Sequence, residues 1–248
     1  MRPLEGRIAL VTGATQGLGR AFANAMAAAG ATVAVNGRRE DVVDEIVGTI
    51  VTRGDSAVAA TGDISVPGVV DALIDDIVSR FGRFDVIVNN AGVVRAAMLW
   101  NLEDDAWADV LQVNLTAVFF GVRAAARAMI PQRSGRIINM ASGAGIGGTI
   151  GQVNYAAAKG GVIALTKSAA RELARHNITV NAISPVAATP MTERIRTDDK
   201  LYRTVKGQIP LDRFAEAEEL GGVAVFLASD AAAYTTGHVL LADGGLSM

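Results

Sequence analysis

Tyr155 and Lys159 are separated by three alanines in the run Gly151-Gln152-Val153-Asn154-Tyr155-Ala156-Ala157-Ala158-Lys159. In a helix, residues at this spacing share one face, a turn apart. Alanines favour that helix and keep the surface between the two groups slim. A free phenol has a pKa of ~10, too high for an acid at neutral pH, and a nearby cation favours its phenolate. A tyrosine tuned this way can give or take a proton at a carbonyl or alcohol oxygen. A Tyr and a Lys sharing a solvated helix face is the commoner meaning of such a pair taken alone. The rest of the chain decides between the two.

A second chemical stretch is Gly13-Ala14-Thr15-Gln16-Gly17-Leu18-Gly19, which follows the apolar run Arg7–Thr12 and precedes a helical pattern ending at Gly30. Strand, glycine turn and helix N-terminus together make a phosphate cradle, because glycines admit a pyrophosphate and the helix offers free N–H groups. The next strand, Thr32–Asn36, ends without the acid that holds a ribose 2′-hydroxyl and continues instead as Gly37-Arg38-Arg39. Two guanidiniums there suit a 2′-phosphate, which predicts NADP(H) over NAD(H). Asp63 follows the third strand and either contacts an adenine edge or helps a cap, with Ser65 the expected N-cap of the next helix. The fourth strand, Asp85–Asn89, delivers Asn90-Ala91-Gly92, and the fifth, Arg136–Met140, delivers Ala141-Ser142-Gly143. Polar residues and glycines at strand carboxyl ends are where an open parallel sheet binds ligands.

The elements that must position these groups are legible as alternating strands and helices. Six apolar strands alternate with helical stretches, and Val239-Leu240-Leu241 closes as a seventh. The pattern demands a parallel sheet with helices on both faces and right-handed crossovers. The fold class is therefore α/β, a single-domain doubly wound Rossmann fold over 1–248 with a seven-stranded parallel sheet. Between the amphipathic stretch 104–113 and the almost wholly apolar 115–129 stands Asn114, whose buried amide needs partners. The glycine-rich stretch up to Gly151 reads as a loop, and 185–207 as a lid over a ligand.

Composition narrows the partners. The 248 residues are 50% hydrophobic and 19% charged, a globular composition, and the net charge of −2 argues against a general nucleic-acid binder. No apolar run approaches a membrane span, and the opening residues lack a signal-peptide core, so no membrane association is expected. The absence of cysteine excludes thiolate metal sites, no acid/histidine cluster suggests a metal, and a cytoplasmic location fits. A serine hydrolase built on Ser142 lacks the G-x-S-x-G elbow.

Taken together, Thr12-Gly13-x3-Gly17-x-Gly19, Asn89-Asn90-Ala91-Gly92, Asn114, Ser142, Tyr155-x3-Lys159 and Asp243-Gly244-Gly245 resemble the short-chain dehydrogenase/reductases over nearly the whole chain, in that family's order and spacing. The resemblance implies a catalytic set of Asn114, Ser142, Tyr155 and Lys159. Tyr155 would be the acid in reduction and the base in oxidation. Lys159 would lower the phenol's pKa and hold the nicotinamide ribose, Ser142 would bond the substrate oxygen, and Asn114 would hold a water reaching Lys159. The dinucleotide would lie on Gly13, Thr15, Gln16, Gly17, Leu18, Gly19, Arg38, Arg39, Asp63, Ile64, Asn90, Ala91, Gly92, Tyr155, Lys159, Pro185, Val186 and Thr189, with Gln152 joining Ser142 and Tyr155 at the substrate.

Within the family the chain is most similar to 3-oxoacyl-carrier-protein reductases. That implies a small carbonyl or alcohol substrate with an acyl thioester leading, and a homotetramer with 115–129 and 155–175 in one contact. Other ketones, sugars or steroid-like substrates are the alternative, and a non-catalytic nucleotide-binding protein the remote one. Arg133 falls where such reductases carry a basic residue for the carrier protein, whereas the second such position is His176, beside Arg175. Pro185-Val186 departs from the family's Pro-Gly, and its threonine lies one residue beyond Thr189.

Overall fold

The computed structural model describes residues 2–248. Its centre is a seven-stranded, wholly parallel sheet. The strands are β1 (Ile8–Val11), β2 (Thr32–Gly37), β3 (Ser56–Thr61), β4 (Val86–Asn89), β5 (Gly135–Met140), β6 (Ile178–Pro185) and an edge strand at Val239–Ala242, which becomes β9 once the short pair β7 (Ala187–Ala188) and β8 (Ala215–Glu216) is counted. Their order in space is β3-β2-β1-β4-β5-β6-β9. The chain winds outward from β1 through β3, then returns to the other side of β1 with β4. The switch opens a crevice at the carboxyl ends of β1 and β4, where doubly wound sheets hold ligands.

Alternation along the strands builds two cores. Ala9, Val11, Val33, Val35, Val86, Val88 and Ile138 face one side, against α1 (Gly17–Ala28), α2 (Glu40–Thr52) and, late in the chain, α10 (Gly221–Ala228). Ile8, Leu10, Ala34, Ile87, Ile137 and Val180 face the other, against α3 (Val69–Phe81), α5 (Ala117–Gln132) and α7 (Val153–Leu173). This period of two with both faces apolar is what a sheet covered on both sides requires.

Three local expectations are corrected. The helix after β3 begins at Val69 with Gly68 as its N-cap in the left-handed region (φ 85°). Ser65 is not the cap, because Asp63 accepts from both its N–H (3.0 Å) and its hydroxyl (2.6 Å) and folds it into a turn. The stretches on either side of Asn114 are one helical run: α4 (Asp104–Leu111) passes into α5 through a π turn, Gln112–Thr116. By length and composition that run could cross a membrane, but half of its most apolar window is buried inside the protein, as in a core helix. The glycine-rich stretch holds a short helix, α6 (Gly143–Gly147), capped by the Ser142 hydroxyl, which accepts from the Ala144 N–H at 3.2 Å. The segment expected as a lid is largely helical, with α8 (Glu193–Thr197) and α9 (Asp199–Lys206) following β7.

Candidate active site

The glycine turn after β1 is shaped by what packs against it. Gly13 and Gly17 are in the left-handed region, with φ of 61° and 52°. A Cβ on Gly19 would stand 2.2 Å from the Gly13 carbonyl oxygen and 2.4 Å from Asn90 Nδ2, so only glycine lets α1 start there. Asn90 clamps the turn by donating to the Thr12 carbonyl at 2.9 Å and the Gly13 carbonyl at 3.2 Å. The Thr12 hydroxyl accepts from the N–H groups of Asn90 (2.9 Å) and Ala91 (3.1 Å). The N-terminus of α1 has no side-chain cap and no acid in its first turn, so its N–H groups are free for an anion. Glycines that any side chain would fill, beside an uncapped helix end, fit a dinucleotide pyrophosphate.

A second candidate contact surface lies at the carboxyl end of β2. Asn36, buried, is a residue the sequence reading passed over. Its amide donates to the carbonyls of Ala60 (2.8 Å) and Gly62 (3.1 Å), and its oxygen accepts from the Gly13 N–H at 3.3 Å. It thereby locks β2, the end of β3 and the glycine turn together. A Cβ at Gly37 would meet Thr15 Cγ2 at 2.5 Å and Val43 Cγ2 at 3.0 Å, so the strand end leaves no room for a side chain there. Arg38 and Arg39 are exposed beside it. The hydrogen bond from Ser65 holds the Asp63 carboxyl below its ordinary value, with help from the nearby Arg38 guanidinium. That turn commits Asp63 to Ser65, while Ile64 is buried.

Tyr155 and Lys159 lie on the first turns of α7, at the carboxyl end of β5. The helix starts correctly because Asn154 is tied down: its amide donates to the carbonyls of Arg95 (3.0 Å) and Ala106 (3.2 Å), and its oxygen accepts from the Tyr155 N–H (2.8 Å). The role of Asn154 is not legible in the sequence, because its partners Arg95 and Ala106 are distant in the chain. Lys159 is 3% exposed and donates from Nζ to the Met140 carbonyl at 2.7 Å. Burial pushes its pKa down to about 8. Its Nζ stands 5.6 Å from the centroid of the Tyr155 ring.

One expectation about this pair is corrected. In this state the Tyr155 phenol lies above its ordinary 10.0, because burial disfavours the phenolate; a hydrogen bond from Ser142 works the other way. The Lys159 ammonium is engaged by the Met140 carbonyl, and burial disfavours its charge.

The other members converge on the same place. Asn114 is fully buried, and the π turn aims it at the end of β4: its oxygen accepts from the Val93 N–H (2.8 Å) and its amide donates to the Val93 carbonyl (2.7 Å). Gly92 lies close under it, since a Cβ there would be 2.9 Å from Asn114 Oδ1. Gln152 is the N-cap residue of α7 and makes no side-chain cap bond, leaving its amide free. Thr189 caps the 3-10 turn Pro190–Thr192, and both Thr189 and Pro190 come within 3.5 Å of the position a Gly17 Cβ would take. The segment after Pro185-Val186 thus lies over the phosphate turn. Val186 itself is held to the edge strand by its N–H, which donates to the Ala242 carbonyl at 3.1 Å.

Arg133 and Arg175 lie elsewhere. Arg133 donates to the Arg175 carbonyl at 3.1 Å, and both follow the far ends of their helices. With 21 residues in α7, Arg175 is about 30 Å from Tyr155 along the helix axis.

Three comparisons bear on this arrangement. A family model described as enoyl-(acyl carrier protein) reductase matches residues 13–247. A 3-oxoacyl-[acyl-carrier-protein] reductase of Synechocystis sp. is 43% identical over 251 residues, covering 100% of both chains. One of the same description from Staphylococcus aureus is 43% identical over 97% of this chain and 98% of its own. Among solved structures, a gluconate 5-dehydrogenase from Burkholderia cenocepacia in complex with NADP and tartrate superposes with a TM-score of 0.95 at 36% identity, over 98% of this chain and 96% of that one.

Proposed function

The chain belongs to the short-chain dehydrogenase/reductases, and we propose that it is an NADP(H)-dependent oxidoreductase interconverting a ketone and a secondary alcohol, with 3-oxoacyl thioesters as its substrate class. The observation that carries the reading is the buried Lys159 one turn behind Tyr155, its Nζ 5.6 Å from the centroid of the phenol ring. The Gly13–Gly19 turn and the start of α1 would hold the pyrophosphate, Arg38 and Arg39 the 2′-phosphate, Asp63 and Ile64 the adenine side, and Asn90, Ala91, Gly92, Pro185, Val186 and Thr189 the nicotinamide half. When bound, NADPH supplies the hydride.

In reduction Tyr155 passes its phenolic proton to the substrate oxygen. A phenol held above its ordinary pKa is fully protonated at neutral pH, so the donor is loaded before substrate arrives. Ser142 donates a hydrogen bond to the same oxygen and shares the charge that develops there. Lys159 faces the phenolate left behind and, near its own pKa of about 8, can exchange protons with solvent. Asn114 fixes the Val93 backbone beside this path, at a π turn of the kind that recurs at functional sites.

The choice of an acyl substrate over a polyol rests on the rim. Leu99 (69% exposed), Trp100 (75%) and Ile150 (87%) stand on the two segments flanking Tyr155, which are joined by the Ala97 N–H donating to the Gly151 carbonyl at 2.9 Å. An apolar rim suits a hydrocarbon chain, whereas a sugar acid needs polar partners there. The test is a panel of 3-oxoacyl thioesters, a trans-2-enoyl thioester, simple ketones and gluconate, followed by NADPH absorbance. Highest kcat/KM on a 3-oxoacyl thioester is expected; preference for the enoyl thioester or for gluconate overturns the substrate reading. Including both coenzyme A and carrier-protein thioesters measures the contribution of Arg133 and Arg175.

We further propose a cytoplasmic homotetramer. Phe119 on α5 and Trp107 on α4 are exposed, as are Phe226 on α10, Tyr234 and Leu241 on β9; large apolar side chains left on the surface are what subunit contacts use. Light scattering at micromolar concentration checks it, and a monomer refutes it.

A further inference from the structure

A buried polar chain runs beneath the candidate active site and takes no part in the chemistry described above. Asn89, at the end of β4, donates from Nδ2 to Asn139 Oδ1 at 2.8 Å. Asn139, on β5, donates from Nδ2 to Thr166 Oγ1 at 2.9 Å. Thr166, on α7, donates its hydroxyl to the Val162 carbonyl at 2.8 Å. All three side chains are within 4% of full burial. Every donor points the same way, and the chain ends on the helix backbone, an arrangement in which each bond polarises the next. Helix α5 closes over the first link, because a Cβ on Gly121 would stand 2.1 Å from Asn89 Oδ1.

The place of Thr166 gives the chain its meaning. It lies two turns beyond Lys159 and three beyond Tyr155, so the three share one face of α7. The other buried residues of that helix include Ala158, Val162, Ala169, Ala170 and Leu173, which are small or apolar and make non-directional contacts. Such a surface resists separation but not sliding along the sheet. Beside the Asn154 amide, which ties the start of α7 to Arg95 and Ala106, two directional bonds to the sheet resist sliding: Lys159 to the Met140 carbonyl, and Asn139 to Thr166. Both reach α7 from adjacent residues of β5. The first involves a group that must work during turnover, and the second has no other task.

We propose that Asn139 and Thr166 are positioning residues, whose hydrogen bond sets the height of α7 against β5 and so places Tyr155 and Lys159 relative to Ser142. The inference rests on the reading of Tyr155 and Lys159 as the reacting pair. The Asn89 link extends the reference to β4, the strand that leads into Asn90 and Gly92, so one chain of bonds joins β4, β5 and the helix holding the proton donor. A misplacement of about 1 Å at a reacting group costs on the order of 100-fold in rate.

Thr166→Val keeps the shape and deletes the oxygen. The expected result is a kcat lower by about 10- to 100-fold, with NADPH affinity, measured by fluorescence titration, within about twofold of the unmodified protein. The basic limb of the pH–rate profile should move to higher pH, because a looser seat lets water reach Lys159. Thr166→Ser restores the oxygen and should bring kcat back. Ile77→Val, on α3, is the control for stability loss alone and should leave the pH profile in place. If the valine variant does not fold, Thr166→Ala is read the same way. A kcat within about twofold of the unmodified value, or a pH profile that moves no more than in the Ile77 control, overturns the proposal. Tyr155→Phe is assayed alongside: activity surviving there removes the proton-donor reading itself, whereas an inactive phenylalanine variant beside a fully active Thr166→Val removes only this inference.

Discussion

Lys159→Met should make the protein more stable at neutral pH while abolishing its activity, and the gain should reverse in alkali. The folded-state pKa of about 8 lies below the unfolded value of 10.5. At about 1.4 kcal/mol per unit, holding the ammonium in the fold costs about 3 kcal/mol at pH 7. The sign follows from linkage: between pH 8 and 10.5 the folded chain binds fewer protons than the unfolded one, so stability rises with pH across that window. At pH 10 the remaining penalty is under about 1 kcal/mol by the same relation. Methionine fills similar volume without charge but leaves the Met140 carbonyl, now partnered at 2.7 Å, without its donor. That loss is about 1–2 kcal/mol at any pH. The net expectation is a gain of about 1–2 kcal/mol at pH 7, or about 2–8 °C in Tm for a chain of this size, and no gain or a net loss at pH 10. Urea and thermal unfolding of the two proteins at both pH values measure it. A methionine variant destabilised equally at pH 7 and pH 10 would refute the reasoning, because it would mean that the ammonium is not penalised by its surroundings.

Other outcomes follow from the same geometry. Tyr155→Phe should lower kcat by about 100- to 10,000-fold with NADPH affinity unchanged within a few-fold; equal NADPH oxidation with and without the hydroxyl ends the proton-donor account. Gly19→Ala places a methyl 2.2 Å from the Gly13 carbonyl oxygen, so dinucleotide binding measured by fluorescence should weaken by more than about tenfold, a loss of over about 1.4 kcal/mol; unchanged affinity refutes the cradle. The unmodified protein should bind NADPH more tightly than NADH in separate titrations, and charge reversal of Arg38 and Arg39 together should erase the gap. Tighter NADH binding by the unmodified protein shows that the two arginines were misread.

The architecture was legible because the strands are apolar on both faces and the glycines fall where strands end: β1, the turn and α1 could be read directly from Arg7 to Gly30. What escaped depended on partners distant in the chain. The 143–147 segment reads as loop by its glycines, yet it is helical because Ser142 caps it and because Gly145 lets it rest on the backbone of α7, where a Cβ would sit 2.6 Å from the Lys159 carbonyl carbon. Ser65 looked like a helix cap until Asp63, two residues earlier, captured it. The membership of Tyr155 and Lys159 in one site was visible in their spacing, but the state of the phenol was not. Its pKa is set by burial under distant elements, which no local pattern reports.

The π turn at Gln112–Thr116 has a consequence for the helical run it interrupts. One added residue advances everything after it by about 100° around the axis. Within it Asn114 is aimed at Val93; downstream the helix is phased so that Ala117, Ala124 and Met129 are buried. An unbroken α-helix of the same sequence could satisfy only one of these at a time. The bulge works as a splice between two windings, and deleting a single residue there would turn either the polar end or the apolar end of the run to the wrong side.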